Sequence, residues 1–135
     1  MKTVAVSQRV DWIESRSEYR DALDQRLCDF LVYAGFLPYP VPNALKFSKI
    51  DFIIKWLKNF APKAIVLSGG NNIGEFESRD TVEHNLIEYA VSKKIPLLGI
   101  CRGMQFLGSF FGATIEKIAG HAGARHGLVQ SKKAN

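Results

Sequence analysis

Short apolar runs alternate with longer amphipathic stretches along the chain, and that alternation predicts a series of strands and helices. Val4 to Val6 reads as a first strand. From about Ser17 to Ala34, the residues Tyr19, Leu23, Leu27, Phe30, Leu31 and Ala34 share one helical face. Ser15 and Glu18 have the spacing of a capping box, and Gly35 stands where that helix would stop. Phe36 to Val41 carries two prolines, which suits an edge strand. Ile50 to Leu57 predicts a short helix. Ala64 to Leu67 is a continuous apolar strand that runs into Ser68-Gly69-Gly70-Asn71-Asn72, and Ser78 is placed to cap a helix through about Ser92. Ile95 to Ile100 predicts a buried strand, Met104 to Phe111 a packed helix, and Thr114 to Ile118 the start of another strand.

Strands separated by helical patterns imply an α/β fold with an open, mainly parallel sheet and helices on both faces. No repeat, linker or low-complexity tract divides the chain, so residues 1–135 form a single domain. In such sheets, ligands gather at the carboxyl ends of the strands. Two glycine-rich turns fall at such ends, one after Leu67 and one around Cys101.

The second turn carries the chemistry. Gly99-Ile100-Cys101-Arg102-Gly103 has the nucleophile-elbow spacing, with an apolar strand before it and a helix after it. A sharp turn there exposes the nucleophile, and the flanking glycines let strand, helix and substrate approach without a Cβ in the way. The sulfur sits at a helix N-terminus, where unpaired N–H groups favour negative charge. The N–H of Arg102 is positioned to donate to an oxyanion. Arg102, Gln105 and Ser109 recur at helical spacing as a polar stripe, which predicts a cavity against that side of the helix.

The plain alternative for Cys101 is a small buried cysteine after an ordinary turn, and the complete elbow context outweighs it. Cys28 has no such context and reads as packing. Gly69-Gly70 alone would read as a simple turn. Beside an activated cysteine it reads as a second oxyanion donor, since Ser68 to Gly74 stays polar and glycine-rich.

The 135 residues are 47% hydrophobic, ample for a core, and no apolar run approaches the ~20 residues that span a bilayer. Two cysteines without a C-x-x-C pattern argue against a disulfide scaffold, and with no signal-like start they predict a cytoplasmic protein. The net charge of +5 is dispersed, which fits an anionic small substrate as well as nucleic acid and decides neither.

In these residues the chain resembles the class I glutamine amidotransferase superfamily, and within it the free-standing γ-glutamyl hydrolases. Leu67-Ser68-Gly69-Gly70 looks like the family's oxyanion loop, with Gly70 as donor beside Arg102. G-I-C-R-G-M-Q from Gly99 to Gln105 looks like its nucleophile elbow, where Gln105 would hold the amino-acid end of the substrate. Gly120-His121-Ala122-Gly123-Ala124-Arg125-His126 is similar to the G-H-x-G-x-x-H segment over the same end, which makes Gly123 and Arg125 candidate substrate-binding residues. Arg79-Asp80 ahead of P-L-L-G-I-C-R-G-M-Q is similar to the γ-glutamyl-γ-aminobutyrate hydrolase branch. The start Ser7-Gln8-Arg9-Val10, the stretch Glu18 to Asp24 and the loop Gly70-Asn71-Asn72-Ile73-Gly74 look more like the γ-glutamyl-CDP-amidate hydrolase group, which serves phosphoramidate modification of capsule or surface polysaccharide.

The resemblance implies a flavodoxin-like fold and hydrolysis of a γ-glutamyl amide through a Cys101 thioester, with a small-molecule substrate and no cofactor or metal. No nucleic acid or membrane partner is expected, and a homo-oligomer or a synthetase partner fits. Were the leaving group a nucleotide phosphoramidate, Arg102 or Arg125 would be placed to meet its phosphate; an ordinary ion pair is the alternative for each. The alternative functions are a glutaminase subunit that delivers ammonia to a synthetase, and a non-catalytic product. The family's triad ends in an H-x-E pattern that these residues lack, and Asn71 stands where many relatives have proline. His84 reads as a surface residue, and His121 and His126 match the substrate-covering segment. The expectation is therefore a chain comprising the N-terminal two thirds of the domain.

Overall fold

The computed structural model describes residues 1–47, 51–121, 123–125 and 127. Four parallel strands form the main sheet: β1 (Lys2–Val6), β4 (Phe36–Pro40), β5 (Ala64–Leu67) and β6 (Leu97–Gly99), in the order β4-β1-β5-β6. Ala5 pairs with Tyr39 on one side and Ile65 on the other, and Val66 pairs with Leu98. The proline-bearing β4 lies at an edge, where a missing ladder donor costs least.

Alternation along β1 divides the core. Val4 and Val6 pack with Leu31 of α1 (Gln25–Tyr33) on one face. Ala5, Ile65 and Leu67 face the other way, toward α2 (Asp51–Phe60), α3 (Glu77–Lys93) and α4 (Arg102–Phe110). Helices on both faces of a parallel sheet make the fold α/β, as the sequence predicts. The α1 side covers β4 and β1 but leaves Leu98 of β6 48% exposed.

The helix expected from Ser17 begins only at Gln25. Residues before it form an antiparallel hairpin of β2 (Arg9–Ile13) and β3 (Glu18–Ala22), closed by a 3₁₀ turn at Glu14–Arg16 and by Ser17 at φ 50°. The Ser15–Glu18 capping box is therefore not made. Asp24 caps the helix instead, its side chain accepting the Arg26 N–H at 2.9 Å. Asp21 anchors the hairpin by accepting from the backbone and side-chain nitrogens of Asn43, each at 2.9 Å.

The predicted stop at Gly35 is present, with φ 85° directly after the last residue of the cap. Ser78 lies inside α3 rather than at its cap, which is Phe76. Thr114 to Ile118 forms no strand, since no neighbouring strand pairs with it among the described residues. Of the helix expected from Ile50, that first residue lies outside the described residues. Among the described residues, no helix is long and apolar enough to cross a membrane.

Candidate active site

Cys101 occupies the junction of β6 and α4 in a backbone conformation that side chains rarely adopt, φ 52° and ψ −111°. Such geometry persists only where the surroundings impose it. Here the imposition is close packing: a Cβ on Gly99 would lie 2.7 Å from the Gly103 carbonyl carbon, and one on Gly103 would lie 2.7 Å from the Leu67 Cβ. Only glycine at both positions lets α4 start directly over the ends of β5 and β6. The Cys101 side chain projects as an exposed group, and its Sγ has no hydrogen-bond partner among the described residues. At Cys28 burial pushes the thiol up, and Asp29 and Asp24 add to the effect.

The two glycine-rich turns are neighbours. Ile100 donates its N–H to the Leu67 carbonyl at 2.9 Å, and a Cβ on Gly69 would stand 3.5 Å from that of Cys101. Gly70 has φ 82° and lies under Arg9, whose Cδ would be 3.2 Å from a Cβ placed there. The backbone N–H groups of Gly70 and Arg102 donate to no acceptor among the described residues. A cavity of about 250 Å³ opens beside this junction, lined by Arg9, Leu23, Ser68, Gly69, Gly70 and Ile100.

Behind the turns, buried Arg79, Glu83 and Arg102 form a charged cluster with the partly exposed Asp80. Arg79, with no exposed side-chain surface, donates through Nη2 to the carbonyls of Ser68 at 2.7 Å and Gly69 at 3.0 Å. Its Nη1 donates to the Gly70 carbonyl and to Asn71 Oδ1, and its Nε to Glu83 Oε1 at 3.1 Å. Glu83 Oε1 also accepts from the Ser7 hydroxyl at 2.6 Å, while Oε2 pairs with Arg102. Arg102 pairs with Asp80 as well and lies over the Phe106 ring at 4.7 Å. Burial pushes both guanidiniums down to about 10, which leaves them charged at neutral pH.

This arrangement corrects two expectations. The Arg102 side chain is buried among carboxylates, so it does not reach toward a substrate phosphate, although its backbone N–H stays at the turn. The polar stripe on α4 divides accordingly, with Arg102 inward and Gln105 and Ser109 exposed. Gln105 sits one turn beyond Cys101, its N–H donating to the Cys101 carbonyl at 3.1 Å.

Gly123 and Arg125 are exposed, and a Cβ on Gly123 would meet nothing within 4 Å, so neither is packed against the elbow. Ala122 and His126 lie outside the described residues. His84 is a surface residue of α3, its ring tilted against that of Phe110 with centroids 5.1 Å apart. Sequence reasoning gave no role to Arg9 or Glu83. For Glu83 the signal was its i,i+4 spacing from Arg79 on a helix that also buries Val82, Leu86 and Ile87.

Residues 12–135 match the family described as Glutamine amidotransferase class-I. The chain belongs to this family. Among amidotransferase relatives, it is 32% identical over 139 residues to a gamma-glutamyl-CDP-amidate hydrolase of Campylobacter jejuni, covering 96% of this chain and 65% of that protein. It is also 32% identical over 119 residues to the glutamine-hydrolyzing GMP synthase of Lactobacillus delbrueckii, covering 88% of this chain and 20% of the synthase. A GMP synthase of Brachyspira hyodysenteriae is 34% identical over 100 residues, 74% of this chain and 16% of the synthase. The chain thus spans a little under two thirds of the hydrolase and about a fifth of the synthases.

Proposed function

We propose that this protein hydrolyses γ-glutamyl amides with Cys101 as the nucleophile. The observation that carries this reading is the juxtaposition of a positive-φ cysteine at a strand end with the N–H groups of Gly70 and Arg102, which have no acceptor among the described residues. The Cys101 sulfur attacks the γ-carbonyl, and the carbonyl oxygen, now an oxyanion, accepts from those two N–H groups. Collapse expels the amine or amidate with a proton, and water then cleaves the γ-glutamyl thioester to release glutamate. A general base moves those protons in both steps.

Gln105, exposed one turn beyond Cys101, holds the amino-acid end of the γ-glutamyl group, and Gly123 and Arg125 are the further candidates for binding substrate. Arg9 lines the adjoining cavity, where an anionic leaving group would compete with Asp11, its ion-pair partner at 2.7 Å. The Campylobacter relative favours γ-glutamyl-CDP-amidate as substrate, and the resemblance carried by Ser7 to Val10, Glu18 to Asp24 and the Gly70 to Gly74 loop adds phosphoramidate modification of a capsule or surface polysaccharide as its setting. The synthase relatives favour a second reading, a glutaminase that passes ammonia to a synthetase partner. Glutamate release from γ-glutamyl-CDP-amidate and from glutamine, each assayed with and without a synthetase, separates the two. Preference for glutamine with stimulation by the synthetase would exclude the free-standing hydrolase.

A further inference from the structure

Given Cys101 as the proposed nucleophile, we infer that Arg79, braced by Glu83, is a positioning residue that sets the direction of the Gly69–Gly70 amides toward the reacting carbonyl. Arg79 spends nearly its whole guanidinium on one short loop, taking the carbonyls of Ser68, Gly69 and Gly70 in succession. All peptide bonds here are trans, so each N–H points opposite to the carbonyl that precedes it. Drawing three successive carbonyls to one side turns the N–H groups of Gly69, Gly70 and Asn71 to the other, away from the guanidinium. A Gly-Gly pair is the sequence least able to hold that orientation alone, because its peptides rotate at little steric cost. A rotated Gly69–Gly70 peptide would aim a carbonyl, not an N–H, at the oxyanion.

Glu83 extends the same control to the elbow. One carboxylate accepts from Arg79 and Ser7 on Oε1 and pairs with Arg102 through Oε2, so Arg102 directly, and Gly70 through Arg79, are referred to a single buried group. Asn71 completes the brace, accepting from Arg79 Nη1 at 3.0 Å and from the Val10 N–H at 2.8 Å. Stability alone does not account for the design, since buried ion pairs often contribute no more than apolar residues of the same volume. Orientation of a loop by three carbonyl contacts is what the guanidinium supplies and a hydrophobic residue cannot.

The test separates a reaction that passes through an oxyanion from one that does not. γ-Glutamyl p-nitrophenyl ester acylates a cysteine through a tetrahedral oxyanion: the C–S bond forms, the C–O bond to the phenol breaks, and p-nitrophenolate leaves without needing a proton. Iodoacetamide alkylates the same sulfur by displacement of iodide, with no oxyanion. In Arg79→Met and Arg79→Lys, the p-nitrophenolate burst should slow roughly 10²- to 10³-fold while alkylation of Cys101 stays within about threefold of wild type. Arg79→Lys keeps the buried charge and the pairing to Glu83 while losing the fork that spans three carbonyls, so it serves if the methionine variant does not fold. Equal slowing of both reactions, or of neither, would overturn the positioning role. A burst that persists in Cys101→Ala would overturn the nucleophile assignment itself, and with it the role of Arg79.

Discussion

Gly103 lies directly on Leu67, so closely that a Cβ on the glycine would stand 2.7 Å from the leucine Cβ and overlap its carbonyl oxygen. Gly103→Ala should therefore cost about 1–3 kcal/mol or more by forcing α4 off the end of β5, and should displace Cys101. Gly108→Ala on the same helix meets only the Ala113 Cβ at an ordinary 3.6 Å. It should stabilise by roughly 0.5–1 kcal/mol through helix propensity. Denaturant unfolding of the two variants checks the opposite signs.

The two cysteines should differ in reactivity. A glutamine-mimicking electrophile should add once, at Cys101, and leave Cys28 unmodified, because burial holds the Cys28 thiol above its ordinary value. Mass spectrometry after limited reaction at neutral pH reports the site. Labelling of Cys28, or full activity in Cys101→Ser, would remove the nucleophile assignment.

The start of α1 should be acid-sensitive. Hydrogen bonds from the Arg26 side chain and then its backbone N–H hold the Asp24 carboxyl below its ordinary 3.8. Its stabilising contribution is thus complete above 3.8 and is lost as pH falls through the lowered value. Asp24→Asn keeps a capping oxygen but does not titrate. Wild type should exceed this variant in Tm at neutral pH, and the gap should close in strong acid.

A single acylation and repeated turnover should separate in this chain. An activated γ-glutamyl ester should release one equivalent of phenolate, whereas γ-glutamyl amides should turn over roughly 10²- to 10⁴-fold more slowly than in a version extended by a relative's H-x-E segment. Comparable amide turnover by the 135 residues, abolished by His121→Ala, would show that the base lies within them.

The elbow was legible because glycine spacing reports close backbone approach: Gly99 and Gly103 are required by contacts that any side chain would violate. Ala64 to Leu67 was legible because a strand buried on both faces has no polar phase to confuse it. The hairpin was hidden because β3 buries nothing, so its alternation leaves no trace, and Tyr19 and Leu23 happen to match a helical spacing. What holds it is a cross-strand ring pair, Trp12 against Tyr19 at 4.6 Å, and side-chain bonds from Asp21 and Asn71. The buried cluster was hidden for another reason. A charged residue on a helix ordinarily faces water, and only tertiary packing sends Arg79 and Glu83 inward beside Leu86 and Ile87.

The central place of β1 also bears on how the protein is made. Lys2–Val6 leaves the ribosome before both of its neighbours, since Phe36–Pro40 and Ala64–Leu67 follow it by some thirty and sixty residues. During that interval the nascent chain carries an apolar strand with both edges open, the kind of template on which other chains pair. The time taken to translate as far as Leu67 is the window in which this protein depends most on being shielded.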